Sequence, residues 1–172
     1  MHGFFIENGK RWLQLAEVEI ALLNSLINQI IQLLDLQEEA TSDPLDFLND
    51  LGKSIARPQD EVVYRLLPDA YGEDEEANSE FRRFTERSLR DEKLIQARKV
   101  LAGMPKDDTV IEVVELDFEI WLKTLNDVRL ALGTRLEITE NMRTENLDPE
   151  KASLLEVYDW LTWLQGTLLE TK

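Results

Sequence analysis

Residues 17–36 carry apolar side chains on two adjoining faces of one helix. Val18, Leu22, Leu26, Ile30 and Leu33 form one face, and Ile20, Leu23, Ile27, Ile31 and Leu34 lie beside them. A helix apolar over half its circumference has to be covered on two sides. The segment therefore predicts a central helix and a mainly α domain packed around it. Asn24, Asn28, Gln29 and Gln32 interrupt the apolar stretch 20–34, which is too short and too polar to span a bilayer.

The flanking sequence supplies the other elements. Asn8-Gly9 stands between two strand-like runs, 4–6 and 10–15, and tolerates the positive φ angles of a tight hairpin turn. Residues 109–115 are β-branched enough for a third strand. Asp43-Pro44 starts a short helix ending near Gly52, and Pro58 opens another through Leu67. The acidic run 73–76 suits the positive end of a helix dipole, so a helical region should begin there and run to about 102, where Gly103 and Pro105 stop it. Its apolar face shifts: Ala77, Phe81 and Phe84 line one side, Leu94, Ala97 and Leu101 a side rotated by about 100°. Ser88-Leu89-Arg90-Asp91 has the spacing of a capping box, which predicts a kink or two helices meeting near Ser88. Helices over 117–136 and 149–169, the second capped by Asp148-Pro149, with a polar loop 139–147 between them, complete the reading. The strand-then-helix passage at 109–122 echoes that at the N-terminus. The expected fold is a single domain, 1–172, of mainly α (α+β) class, with about six helices and a small antiparallel sheet built on the N-terminal hairpin.

Composition narrows the chemistry. The chain of 172 residues has no cysteine and one histidine, His2. That removes disulfides, thiol switches, Ser-His-Asp and Cys-His nucleophiles, and the usual zinc or haem sites. The seven glycines form no phosphate-cradling loop, and adjacent acids such as Glu38-Glu39 and Asp107-Asp108 lack calcium-loop spacing. A formal charge of −16 argues against general affinity for nucleic acid or anionic membranes. The first eight residues lack the basic start and apolar run of a secretion signal, so the expected compartment is the cytoplasm.

Three blocks of sequence are familiar: Arg65-Leu66-Leu67-Pro68-Asp69-Ala70-Tyr71 with 80–86; residues 125–136; and Tyr158-Asp159-Trp160-Leu161-Thr162-Trp163-Leu164-Gln165. In order and spacing they resemble an actinobacterial family of uncharacterised proteins, domain of unknown function two-thousand-and-seventeen, over nearly the whole chain. The resemblance implies a bacterial cytoplasmic protein whose gene often lies near that of the ClpS protease adaptor, and some relatives carry a loose label as transcription regulators. It implies no catalytic residues, and cysteine-based sensing in relatives cannot operate here.

Three features bear on function. Arg129 falls within the apolar stripe of the 117–136 helix, and a buried guanidinium needs a carboxylate or carbonyl partner. Asp69, Asp127 and Asp159 are candidates. A helix-knitting ion pair with Asp159 is the weightier reading, an anion site the other. The stretch 82–99 carries seven cations (Arg82, Arg83, Arg87, Arg90, Lys93, Arg98 and Lys99) against three carboxylates. Its net +4 contrasts with −20 elsewhere. It is a solvated face with paired charges, a partner-docking surface using Arg82, Arg83, Arg87, Arg90 and Arg98, or a DNA contact of helix-turn-helix type. In the last helix Leu154, Val157, Tyr158, Leu161 and Leu168 share a side from which Trp160 and Trp163 diverge. Such aromatics are second-layer core or an interface, of which a homodimer is the simplest version.

The composite expectation is a non-enzymatic interaction or regulatory protein with no catalytic, cofactor or metal residues. It would pair with itself and with an unidentified protein, and not with a membrane. The alternatives are a transcription regulator contacting DNA through 82–99, and a carboxylate- or metal-dependent hydrolase.

Overall fold

A computed structural model describes residues 3–35, 57–106, 109–138 and 148–172. Strands β1 (Gly3–Glu7) and β2 (Lys10–Gln14) form the hairpin, in the register Phe5 opposite Trp12 and Glu7 opposite Lys10. Asn8 and Gly9 have φ of 52° and 75°, the pair of positive angles that a type I′ turn requires. Strand β3 (Val110–Glu112) pairs antiparallel with β2, so the sheet order is β1-β2-β3. It is shorter than 109–115 because a 3-10 turn at Glu115–Asp117 swings the chain into the next helix. Hydrogen bonds from Leu15 N to Thr109 O and from Val113 N to Arg11 O lengthen the ladder by one step at each end.

Helix α1 (Glu17–Asp35) follows the hairpin, and α2 (Glu61–Leu66) starts at Asp60 rather than Pro58, because the Asp60 carboxylate accepts from Val62 N at 2.8 Å and Val63 N at 3.4 Å. Helix α3 (Glu75–Phe81), capped by Asp74, continues through a π-helical turn (Arg82–Glu86) into α4 (Arg87–Ala102). Helices α5 (Phe118–Arg135) and α6 (Pro149–Leu169) complete the order, α6 capped by Asp148 with Pro149 at its first position, as expected. The expected short helix 43–52 and the polar loop 139–147 lie outside the described residues.

The protein is mainly helical with a small antiparallel sheet. Helix α1 packs on α4 and α5, giving the two covered sides its sequence demands, and buries Leu23, Ile27, Ile30 and Leu34. Its Val18 end is exposed, so the coverage is not continuous. Helix α5 touches α1, α2, α4 and α6 and holds the middle of the core with Trp121, Leu125, Val128 and Leu132. Phe4 of β1 meets Trp121 edge to face at 5.6 Å. On α6 the buried residues are Leu161, Leu164 and Leu168, while Leu154 is exposed. No helix among the described residues is long and apolar enough to cross a membrane.

Arg11 joins the two ends of the chain. It points inward at the first buried position of β2 and donates from Nε to Thr171 Oγ1 (2.7 Å), from Nη2 to Thr171 O (2.9 Å) and from Nη1 to Glu115 Oε2 (2.8 Å). Its guanidinium also lies 4.6 Å over the Phe118 ring. A cation at the end of α6 satisfies carbonyl groups that a helix C-terminus leaves open.

Candidate functional site

A π-helical turn interrupts the helical backbone at Arg82–Glu86, and such turns inside α-helices recur at functional sites. Its origin is legible in the burial pattern. Asn78, Arg82 and Arg90 are buried and Glu86 half-buried, followed by buried Leu94. These inward positions are spaced by four, and each step of four overshoots a 3.6-residue turn by about 40°. One widened turn absorbs much of that drift and keeps all five side chains facing inward. The helix is therefore continuous, and Ser88 is an exposed position within it rather than an N-cap. The expected break for a helix-turn-helix is absent at Ser88.

The inward face of this turn is polar. Arg82 is ion-paired with Asp69 and donates to Glu86 Oε2 at 3.2 Å, while Arg90 donates to Glu86 Oε1 at 2.6 Å. The Tyr64 hydroxyl donates to Asp69 Oδ2 at 3.2 Å, and its ring lies under the guanidinium of Arg57 at 3.6 Å. Asn78 pins the loop ahead of α3, accepting from Tyr71 N at 2.9 Å and donating to Gly72 O at 3.0 Å. Alternating charges along Asp69, Arg82, Glu86 and Arg90 give each buried ion an opposite neighbour, the condition for burying them at all.

One turn further on, Lys93 Nζ donates to both oxygens of Asp127, at 2.7 and 2.9 Å. Burial pushes the Asp127 carboxyl above its ordinary value of 3.8, and the Lys93 charge only partly opposes it. A carboxylate with a raised folded pKa stabilises the fold most at acid pH, and the contribution is lost as pH rises through the folded pKa. Relative to Asp127→Asn, the wild type should therefore lose stability as pH climbs above about 4. Urea unfolding at stepped pH checks this, and parallel pH profiles for the two proteins would refute it.

The candidate docking set divides in two. Arg82 and Arg90 are buried in the network just described, and Arg98 is paired with Asp35 at 2.9 Å. Lys99 pairs with Asp117. Most of the basic stretch thus neutralises carboxylates of its own chain. Only Arg83 and Arg87 of the set front an open groove of about 750 Å³, with exposed Phe84 and Ile95, Asp91 and Glu92, and Ile120 of α5. The Arg83 guanidinium lies 4.6 Å over the Phe84 ring.

Arg129 is half-buried and, among the described residues, makes no ion pair with Asp159, which is exposed on α6. The pair expected from the sequence is corrected: Asp69 and Asp127 answer Arg82 and Lys93 instead. Trp160 is half-buried against the core, its Nε1 donating to Glu19 Oε1 at 3.1 Å. Trp163 is 43% exposed and leans toward β1, where Gly3 at φ +114° leaves room for its ring; a Cβ there would come within 2.9 Å. Among the described residues no three histidine, cysteine or acidic side chains converge as metal ligands.

The Arg82–Glu86–Arg90 ladder escaped the sequence reading, although its i, i+4, i+8 spacing of alternating charge was the available signal. The widened turn had a signal too, in the rotation of the apolar face.

The family described as Domain of unknown function (DUF2017) matches residues 1–172. The chain is 33% identical over 177 residues to the protein named oxidative stress regulator AosR of Mycobacterium tuberculosis strain H37Rv, with 90% of this chain and 78% of that protein covered. The Mycobacterium bovis protein of the same name is similar to the same extent. No solved structure matches the chain.

Proposed function

The chain belongs to the DUF2017 family, and from that premise we propose that it is a non-enzymatic regulatory protein of the cytoplasm that acts by contact with other protein rather than by gripping DNA. The observation that carries this reading is the internal neutralisation of the basic segment. Five of its seven cations, Arg82, Arg90, Lys93, Arg98 and Lys99, face carboxylates of the same chain. DNA contact needs unneutralised cations to release counterions from the phosphate backbone. The regulator name of the mycobacterial relatives supports a regulatory role. With no cysteine, this chain has no thiol switch of its own with which to respond to oxidants.

A gel-shift titration over rising salt tests the reading. The expected result is no shift at low salt with duplex DNA. A shift that weakens steeply as salt rises would overturn it in favour of DNA contact through 82–99.

A further inference from the structure

We propose that the groove on α4 is a twofold self-docking surface, occupied by the same groove of a second copy of this chain. Among the described residues, neither Arg87 nor Asp91 has an ion-pair partner in its own chain, although the cations around them do. Both line the groove, in which Phe84 and Ile95 are about two-thirds exposed.

These side chains repeat along the helix at 84, 88, 91 and 95, a four-three-four spacing that forms a seam on one helix face. Along the seam the order is self-complementary. An antiparallel copy related by a twofold axis keeps each residue on its own side of the seam and reverses its height. With the axis crossing between residues 89 and 90, Phe84 meets Ile95 of the second copy. Arg87 comes level with Asp91 of that copy to within about 1.5 Å of helix rise, and Ser88 likewise with Glu92. Each contact is made twice, so two Arg–Asp pairs flank a seam closed at both ends by Phe and Ile. A heterologous partner would have to supply this palindrome separately, whereas a second copy carries it already, and twofold dimers are the commonest assembly.

The surface covers about three helical turns, roughly 16 Å, so the dimer forms in a concentration- and salt-dependent manner. The proposal does not depend on the regulatory reading. It also moves the second copy away from Trp163, the residue that sequence alone favoured.

Sedimentation or light scattering of the full chain over a range of concentrations decides it. Arg87→Glu and Asp91→Arg should each weaken self-association by tenfold or more, because each places two like-charge pairs across the axis. Mixed in equal amounts, the two variants should associate again, since every charge then meets its opposite. Arg87 is exposed and Asp91 half-buried on α4, and circular dichroism checks that each variant is folded. Phe84→Ser, at an exposed position, is the uncharged control and should also weaken association. A wild type that stays monomeric at the highest concentration overturns the proposal. So does a mixture that fails to associate, or a dimer that is insensitive to these changes but abolished by Trp163→Glu.

Discussion

Arg82→Met should lower the free energy of unfolding by about 3 kcal/mol, the low end of what breaking a buried ion pair costs. The side chain is 3% exposed and answers both Asp69 and Glu86. Among the described residues, removing it leaves Asp69 with the Tyr64 hydroxyl, while Glu86 retains Arg90. That surviving contact is why the low end applies. Arg98→Met removes a pair whose partners are both well exposed, and should cost less than about 1 kcal/mol. Urea unfolding of the two variants beside the wild type makes the comparison. Equal small effects would mean that the polar ladder is incidental to the widened turn. A large effect at Arg82 alone would mean that the ladder holds it open and so sets where Phe84 and Arg83 face.

Arg11→Ala should cost a similar amount, about 3 kcal/mol, through a different part of the fold. Two charge-assisted hydrogen bonds to Thr171 and one to Glu115 are lost together, from a side chain only 5% exposed. Because Thr171 follows α6 and Arg11 lies in β2, the loss should be felt at both ends of the chain. Backbone amides of the last turn of α6 and of the hairpin should exchange faster, while those of α5 keep their protection. Lys10→Ala, one residue away in an exposed pair with Glu112, should change neither stability nor exchange measurably. Uniform loss of protection in Arg11→Ala would show global rather than terminal opening.

The hairpin at Asn8-Gly9, the acidic helix start at 73–76, the cap at Asp148 and the helix over 17–35 were legible because each rests on local chemistry. These are positive φ at two residues, a carboxylate ahead of free amide groups, and apolar residues at a 3.6 period. Residues 75–102 show the limit of such signals. The rotation of the apolar face was visible as a periodicity that slips, and a slipping period is compatible with a kink, a break or a widened turn. The spatial neighbours choose among these. Asp69 arrives from the loop after α2 and Asp127 from α5, and each supplies a carboxylate that makes a cation on α3–α4 buriable.

The same reason explains the misplaced partners. Arg129 was assigned Asp159 on the ground that a cation in an apolar stripe needs an acid, and that chemistry is sound. Which acid answers which cation depends on the crossing of helices far apart in sequence, where a shift of one turn, about 5.4 Å, exchanges one partner for the next. Trp160 and Trp163 diverge from the main face of α6 alike. Trp160 packs against the core and meets Glu19 of α1, while Trp163 lies at the surface beside Gly3. By itself, then, the sequence determined the fold class, the boundaries of most elements and the absence of thiol and imidazole chemistry, all set by side-chain type and short-range spacing. The tertiary structure decided which charges are neutralised and which face outward, because burial and ion pairing are properties of neighbours that chain order does not specify.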